Sequence, residues 1–294
     1  MKIFKCDESK IITKSLYYAI CSFYKRHDNY ERHFKYLIEL LIPVPPIEVQ
    51  KEIVRILDKF ADGQTGLIDL LKEELTLRKK QYEYYRDKLL TFDDVEFKTL
   101  GEIATEIFRG SGITREQITS EGIPCVRYGE IYTTYGIHFD KCVSYTSIEK
   151  ISNPKYFEYG DILFAITGEK VEDIAKSTAY VGNEKCLAGG DIVVLRHNQN
   201  PKYLSYALAT VDAIKQKTKG KIKSKVVHSS VPAIKEIKIP IPPLDEQERI
   251  VNILDRFDKL CNDLSEGLPA EIKFRQQQYE YYRDKLLTFE DSQK

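Results

Sequence analysis

Several features that would narrow the function are missing from this sequence of 294 residues. Its formal net charge is zero, so the chain as a whole shows no preference for an anionic partner and any basic surface must be local. Its six cysteines contain no C-x-x-C pair, which argues against a disulfide framework or a thiolate zinc site. No apolar run approaches the roughly 20 residues that a membrane span needs, and the N-terminus lacks a signal-peptide pattern. We therefore expect a cytoplasmic protein that does not contact a membrane.

Catalytic motifs are missing as well. The sequence contains no G-x-x-x-x-G-K-[ST] motif of a translocase. An adenine methyltransferase needs a [DNS]-P-P-[YFW] loop that receives the flipped base, and the segments NPKYF (153–157) and NPKYL (200–204) both lack its second proline. None of the five histidines forms an H-x-x-x-H pair that would hold a metal. We expect a chain that is not an enzyme and that uses no cofactor and no metal.

The sequence does contain a long internal repeat. The segment QYEYYRDKLLTF occurs at residues 81–92 and again, without a change, at residues 278–289. Upstream of the two copies, IPVPPIEVQKEIVRILDKF (42–60) aligns without a gap to IPIPPLDEQERIVNILDRF (239–257). Because a repeat decides how the whole chain is divided, we define a first helical repeat at 43–94 and a second at 239–294.

Each repeat has the pattern of a long helix. The prolines suit an extended lead-in and a first helical turn, and the apolar residues that follow recur at helical spacing. Residues that disfavour helix interrupt the middle of both copies, and we expect a kink or a short break there. They are Gly63 and Gly66 in the first repeat, and Gly267 and Pro269 in the second.

Beyond these residues the spacing changes to a heptad seam. Two seams in one chain pack most simply against each other as an antiparallel coiled coil. Each seam contains an arginine, Arg78 or Arg275, which is costly to bury and is therefore expected to pair with a glutamate or to fix the register. The other seam positions are Ile68, Leu71, Leu75, Tyr82, Tyr85 and Leu89 in the first copy, and Ser265, Leu268, Ile272, Tyr279, Tyr282 and Leu286 in the second. The candidates for contacting a partner protein lie off the seam: Tyr84, Arg86, Tyr281 and Arg283.

Residues 95–238 have a different composition. Short β-prone runs alternate there with glycine and asparagine turns, at 123–137, 159–168, 177–182 and 189–197. A helix is predicted over 201–213, where apolar and aromatic residues cluster. We predict an α/β globular domain between the two helical repeats, and hence an α+β fold for the chain.

The strongest local charge is KQKTKGKIKSK (215–225), which has a lysine at every second position and no acid. On an extended segment these lysines point to one side and form a positive stripe that suits a phosphate backbone; the alternative is a solvated loop. The stripe comprises Lys215, Lys217, Lys219, Lys221, Lys223 and Lys225. Side chains in turn-rich segments are candidates for reading base edges, although each is individually more often structural. They are Arg109, Ser111, Arg127, Tyr128, Glu130, Tyr132, Thr133, Thr134, Tyr135, Thr167, Glu169 and Lys170.

Taken together, these segments resemble the specificity subunit of type I restriction–modification systems. The resemblance rests on the I-P-x-P-P-[LI]-x-x-Q helix start, the QYEYYRDKLLTF end, and the domain segments LGEIATEIFRG, GIPCVRYGEIYTTYG, YGDILFAITGE, CLAGGDIVVLRH and VVHSSVPAIKEIKIPIPPL, and it covers nearly the whole chain. It implies that residues 95–238 are a target recognition domain that reads one half of a split site in double-stranded DNA. It also implies that the paired helices space the two halves and dock the modification (methyltransferase) subunits, through which the restriction subunits join.

The chain departs from the family pattern because its first helical repeat begins near residue 42. The segment SLYYAICSF (15–23) resembles YLSYALATV (203–211), so residues 1–42 look like the C-terminal tail of a first recognition domain whose body is absent. We expect a truncated specificity subunit with this tail at 1–42, helical repeats at 43–94 and 239–294, and one complete recognition domain at 95–238. Such a chain reads one half-site alone, or a symmetric bipartite site if two copies associate.

A second class of function stays open at this point. A coiled coil with one globular head would also serve as a scaffold, or as a competitor for modification subunits, without reading DNA. The orientation of the lysine segment separates the two hypotheses, because a segment that points away from a DNA cleft favours the scaffold.

Overall fold

The computed structural model describes residues 5–25, 34–171, 173–219, 227–263 and 265–289 and confirms the α+β fold. The helices are α1 (Thr13–Phe23), α2 (Phe34–Ile38), α3 (Ile47–Leu89), α4 (Leu100–Ile103), α5 (Tyr128–Thr133), α6 (Pro201–Leu208), α7 (Val211–Thr218), α8 (Val231–Lys235), α9 (Leu244–Asn262) and α10 (Leu268–Leu287). The strands are β1 (Phe97–Thr99), β2 (Ala104–Arg109), β3 (Ile118–Thr119), β4 (Ile123–Val126), β5 (His138–Phe139), β6 (Ser144–Thr146), β7 (Tyr156–Phe157), β8 (Ile162–Ala165), β9 (Thr167–Gly168), β10 (Ser177–Tyr180), β11 (Cys186–Ala188), β12 (Ile192–His197), β13 (Val227–His228) and β14 (Lys238–Pro240). None of the helices in these ranges is both long and apolar enough to cross a membrane.

The chain forms two compact units. Residues 1–79 with 258–294 make up the first, called here the helical unit, and residues 80–257 make up the second, the globular unit. The core of the helical unit gathers apolar side chains from α1, α3 and α10, namely Tyr18, Ile53, Leu57 and Leu287.

Two five-stranded sheets form most of the globular unit. One has the strand order β2-β12-β8-β10-β5 and the other β3-β6-β4-β11-β7. Strand β8 is buried along its whole length and β12 over its first four residues, as their apolar composition predicts. Strand β10 is buried as well, although its sequence STAY contains a serine and a threonine. The rings of Phe139, Phe157 and Tyr180 pack in this core with centroids 5.0 to 6.3 Å apart. The core holds the ends of β2, β4, β8 and β12 in place, and the candidate site is built from the segments that continue from these ends.

One predicted strand run contains a helix instead. Residues 123–137 form β4 and then α5, because the Glu130 carboxylate accepts a hydrogen bond from the Arg127 backbone N–H (3.0 Å) and so caps the first turn of α5. The predicted helix at 201–213 is two helices, α6 and α7. The hydroxyl of Thr210 accepts a hydrogen bond from the Ala213 N–H (3.3 Å), which starts α7 as a new helix.

The two helical repeats differ in their middle segments. The helix α3 is continuous past Gly63 and Gly66, so the expected break does not occur in the first repeat. A glycine in a helix interior costs roughly 1 kcal/mol relative to alanine but keeps its backbone N–H, and the hydrogen bonds continue. The break expected in the second repeat is confirmed, since α9 ends at Asn262 and α10 begins at Leu268, with Pro269 in its first turn.

Aromatic contacts show that the repeats pair in antiparallel directions. In the helical unit, the Phe60 ring centroid lies 6.0 Å from that of Tyr279 and 5.6 Å from that of Tyr282. In the globular unit, the Phe257 ring stacks on Tyr85 at 5.7 Å. Each contact joins the beginning of one repeat to the end of the other, as an antiparallel coiled coil requires.

The seam arginines pair with glutamates one turn earlier in the same helix. Arg78 lies 3.5 Å from Glu74, and Arg275 lies 2.8 Å from Glu271. The expected pairing is therefore confirmed for both copies.

A buried glutamine ties the start of each repeat to the segment that packs on it. Gln50 accepts a hydrogen bond from the Ile12 N–H (2.9 Å) and donates to the carbonyls of Lys10 (2.9 Å) and Pro45 (2.7 Å). Gln247 repeats the arrangement, with contacts to the Asn200 N–H (3.0 Å), the Pro242 carbonyl (2.8 Å) and the Gln199 side chain (2.8 Å). An aspartate follows in both copies: Asp58 contacts Lys14 (2.6 Å) and Tyr18 (2.8 Å), and Asp255 contacts Lys202 (2.7 Å) and Tyr206 (2.7 Å). The tail before the first repeat thus makes the same contacts as the end of the globular domain before the second.

Candidate nucleic-acid interface

The short helix α5 is the centre of the candidate site. Its buried Glu130 holds the surrounding segments together, because the carboxylate accepts hydrogen bonds from the Arg127 backbone and side chain (both 3.0 Å) and from the Ser144 hydroxyl (2.6 Å). Tyr128, at the first position of α5, is left exposed at the surface. A buried carboxylate with several donors is a rigid support, so the exposed face of α5 has a fixed position.

Two adjoining grooves flank α5. The first groove has a volume of about 540 Å³ and is lined by Arg109, Gly112, Ile113, Thr114, Arg115, Arg127, Tyr128, Gly129, Glu130, Thr133, Gly189, Gly190 and Asp191. The second groove has a volume of about 490 Å³ and is lined by Arg115, Tyr128, Gly129, Tyr132, Thr133, Thr167, Gly168, Glu169, Lys170 and Asp173. The grooves share Arg115, Tyr128, Gly129 and Thr133, which form the ridge between them.

Glycines allow the backbone segments under the first groove to approach closely. A Cβ atom at Gly110 would collide with the backbone of Ala188 and Gly189, and one at Gly190 would lie 3.1 Å from the Gly112 Cα. Ser111 and Gly189 form a β-bridge at this point. The residues of the runs FRGSG and AGGD therefore bring the ends of β2 and β11 together beneath the groove.

The two arginines that the sequence singled out are fixed in the first groove by carboxylates. The Arg109 guanidinium contacts Asp191 (2.6 Å) and donates to the Gly190 carbonyl. The Arg127 guanidinium contacts Glu130 (3.0 Å). These pairs hold the two side chains in defined positions and neutralise their charge.

The second groove combines hydroxyl groups with charged side chains. The Tyr132 hydroxyl donates to the Ala165 carbonyl (3.3 Å), and burial raises the pKa of Tyr132 to about 12, so the phenol keeps its proton. The Thr167 hydroxyl lies 3.2 Å from the His228 Nδ1. Lys170 is exposed at the groove, where its ammonium group adds a hydrogen-bond donor.

Most of the sequence candidates meet at the two grooves, and three do not. Ser111 is buried and its hydroxyl donates to the Asn153 carbonyl (2.5 Å). Tyr135 is also buried, with its ring stacked on Phe139 at 4.0 Å, and burial raises its pKa. Thr134 is exposed outside the groove linings. Ser111 and Tyr135 therefore support the site from the inside.

The lysine segment does not have the geometry that its sequence suggests. Residues 211–218 form α7, so the expected alternation on an extended segment is wrong for Lys215 and Lys217, and Lys219 follows as the C-cap of this helix. Lys217 is buried, donates to the Leu208 carbonyl (2.8 Å) and to the Ser177 hydroxyl (3.2 Å), and burial lowers its pKa to about 7. Lys215 and Lys219 are exposed. The remaining lysines of the stripe, Lys221, Lys223 and Lys225, lie outside the described residues.

The candidate partner residues divide into two kinds. Tyr84 and Tyr281 are 60% and 61% exposed, and each packs edge-on against the next tyrosine at 5.3 Å. The side chains of Arg86 and Arg283 are only 11% and 14% exposed, and each pairs with the following aspartate at 2.8 Å. The expectation that these arginines share the exposed face with the tyrosines is wrong, because both arginine side chains are largely buried.

Sequence reasoning missed three charged side chains of the grooves: Arg115, Asp173 and Asp191. Arg115 belongs to the same turn-rich stretch as Arg109 and meets the same criterion of a cation in a turn, so the signal was present. Nothing in the local pattern distinguishes the two aspartates from ordinary surface acids, because their place in the site depends on strand ends that are distant in sequence.

Comparison with known proteins agrees with this geometry. The family model for the type I restriction modification DNA specificity domain matches residues 2–77 and 93–274. The specificity subunit of the type I restriction enzyme EcoR124I/EcoR124II from Escherichia coli is 32% identical over 301 residues, covering 97% of this chain and 72% of the relative. A relative from Haemophilus influenzae is 35% identical over 265 residues, covering 86% of this chain and 65% of the relative.

A solved structure shows the same fold. The S subunit of a type I restriction-modification system from M. genitalium superposes with a TM-score of 0.54 at 16% sequence identity, covering 97% of this chain and 75% of that structure. The chain therefore has the fold of a type I specificity subunit with paired helical repeats. The chain belongs to the type I restriction-modification DNA specificity family.

Proposed function

We propose that residues 95–238 bind one half of a split target in double-stranded DNA through the two grooves beside α5. The observation that carries this proposal is the gathering of Arg109, Arg127, Tyr128, Tyr132, Thr133, Thr167 and Lys170 on the two grooves, from segments that are distant in sequence. Donors and acceptors fixed by buried partners suit base edges, which are distinguished by their hydrogen-bonding pattern. The exposed Lys215 and Lys219 are proposed to contact the phosphate backbone.

The helical repeats are proposed to dock methyltransferase subunits. Each repeat offers the same exposed surface, with a tyrosine packed edge-on against its neighbour and a lysine over the ring: Lys88 over Tyr84 at 5.8 Å, and Lys285 over Tyr281 at 5.9 Å. Two copies of one surface suit two copies of one partner. Restriction subunits would join through the methyltransferase subunits, and this chain would supply recognition without a catalytic step.

The test is co-expression of the chain with its cognate methyltransferase subunit, followed by mapping of N6-methyladenine across the host genome. A new methylated motif is the expected result, and a motif that is an inverted repeat with a spacer would indicate that two copies of the chain associate.

A chain that copurifies with methyltransferase subunits but yields no new motif would be a scaffold or a competitor instead. Because Lys217 is buried, the expected lysine stripe loses one member, and this observation favours the scaffold or competitor. The grooves favour DNA reading, and the methylation map decides between the two.

A further inference from the structure

Arg115 occupies the ridge between the two grooves. It begins a short 3-10 helix, Arg115–Gln117, whose backbone is fixed because the Gln117 side chain accepts a hydrogen bond from the Thr114 N–H (2.7 Å). Arg115 is exposed and lines both grooves. The backbone that carries this side chain is thus held in place, while its guanidinium group faces solvent where the grooves meet.

Arg115 differs from the other two arginines of the first groove in its contacts. Arg109 is engaged by Asp191 and Gly190, and Arg127 by Glu130. The Arg115 guanidinium makes no ion pair or hydrogen bond with any of the described residues. An arginine carries five N–H donors in a planar fork. Of the three arginines of the first groove, Arg115 alone has all five donors free of contacts with the described residues.

The charge of the grooves indicates which part of DNA they face. The first groove contains three arginines and two carboxylates, Glu130 and Asp191, and the second contains Arg115 and Lys170 with Glu169 and Asp173. Carboxylates repel phosphates, so a phosphate track is lined by cations without acids. Base edges present donors as well as acceptors, and a carboxylate can accept from the amino group of cytosine. The mixed charge therefore suits base edges.

From these observations we infer that Arg115 reads a base pair of the target, donating through its guanidinium fork to the two major-groove acceptors of a guanine. Arg109 and Arg127 hold the walls of the site on either side. This inference rests on the proposed function, because it assigns a role within the same grooves. A base contact by Arg115 differs in its effect from a phosphate contact, which would strengthen binding to every sequence alike.

The test is selection from a pool of DNA duplexes with a randomised central segment, using the full-length chain with its methyltransferase subunits. Arg115→Ala should keep the wild-type motif except at one position, where the preference for guanine is lost. Its affinity for the wild-type motif should fall between about fivefold and a hundredfold, as expected for the loss of one bidentate base contact. Arg115→Lys should keep the salt dependence of binding and lose part of the preference, because a lysine keeps the charge without the fork.

Lys185→Ala is the control, since Lys185 is an exposed cation outside the grooves and outside the helical repeats that pairs with Glu158 at 3.5 Å. It should leave the motif unchanged. The inference is overturned if Arg115→Ala enriches the complete motif, or if it weakens all duplexes equally while the salt slope falls by about one, which identifies a phosphate contact. A wild-type chain that enriches no motif overturns the proposed function together with this inference, so the two failures are distinguished by the wild-type control. Thermal unfolding of all three variants checks that they are folded.

Discussion

The two helical repeats begin and end with nearly the same residues and differ in the middle, and their structures divide in the same way. The glutamine and aspartate contacts at the start and the tyrosine contacts at the end recur in both copies. The middle is a continuous helix in the first repeat and a break at residues 263–267 in the second. Local geometry therefore follows local sequence, even though each copy is divided between the two compact units.

The largest effect on folding is expected from removing the buried glutamines. In Gln247→Ala the Asn200 N–H and the Pro242 carbonyl lose their partner, and each unsatisfied buried group costs about 1–3 kcal/mol. We expect the free energy of unfolding to fall by about 3 kcal/mol, measured by urea denaturation. Gln50→Ala should cost a similar amount, because its three contacts match.

Amide hydrogen exchange localises these losses, with faster exchange at Asn200 in one variant and at Ile12 in the other. Gln277→Ala, at an exposed position of α10, is the control and should change stability by less than about 0.5 kcal/mol. If Gln247→Ala is destabilised and Gln50→Ala is not, the N-terminal tail does not stabilise the start of the first repeat as the globular domain stabilises the start of the second.

Removing the aspartates of the two repeats should change the free energy of unfolding by more unequal amounts than removing the glutamines. Burial by itself would raise the pKa of Asp255, but hydrogen bonds from His138, Lys202 and Tyr206 outweigh it and lower the pKa to about 2. At about 1.4 kcal/mol for each tenfold change in proton affinity, Asp255→Asn should lose on the order of 2 kcal/mol at pH 7.

The sign of the pH dependence follows from the lowered pKa. A carboxyl group with a lowered pKa stabilises the fold above its ordinary pKa near 3.8, and this contribution is lost as the pH falls toward 2. The difference in unfolding free energy between wild type and Asp255→Asn should therefore be constant above about pH 5, shrink as the pH falls, and disappear only below about pH 2.

Asp58→Asn should show a smaller loss with the same sign. Hydrogen bonds from Lys14 and Tyr18 lower the pKa of Asp58, but the Lys14 side chain is 64% exposed, whereas that of Lys202 is 28% exposed. Solvent screens the exposed pair more strongly. Equal losses at Asp58 and Asp255 would contradict this explanation.

Changes at the glycines address the one place where the repeats differ. No atom lies within 4 Å of a Cβ built on Gly63 or Gly66, so Gly63→Ala and Gly66→Ala should each stabilise α3 by about 0.5–1 kcal/mol. A Cβ on Gly267 would lie 2.8 Å from the Asp263 carbonyl oxygen and 2.9 Å from that of Leu260, so Gly267→Ala should destabilise by roughly 1 kcal/mol. Thermal unfolding measures whether each variant is stabilised or destabilised. A stabilised Gly267→Ala would show that the break between α9 and α10 does not need glycine.

Much of this architecture is readable from the sequence because it depends on local periodicity. The repeat, the heptad seam with Arg78 and Arg275, and the strands of the apolar runs follow from spacing within a few residues. The position of Lys217 does not, because an alternating lysine run gives no sign that residues 211–218 form a helix with one lysine buried beneath it. Arg115 and Asp191 could be named as polar turn residues, but their meeting at one groove depends on sheet pairing between distant segments.

The smallest effect on folding is expected at the exposed tyrosines of the repeats. Tyr84→Ala and Tyr281→Ala remove side chains that are mostly in solvent, so stability should change by less than about 0.5 kcal/mol. If both surfaces dock a methyltransferase subunit, each change should weaken that association by about 2 kcal/mol, as for a central interface aromatic, measured by titration calorimetry. Tyr159→Ala is the matched control, because Tyr159 is 63% exposed and lies outside the repeats. If only one of the two repeat variants weakens the association, the identical residues at the two ends do not bind the same partner. If Tyr159→Ala weakens the association equally, the effect is not specific to the repeats.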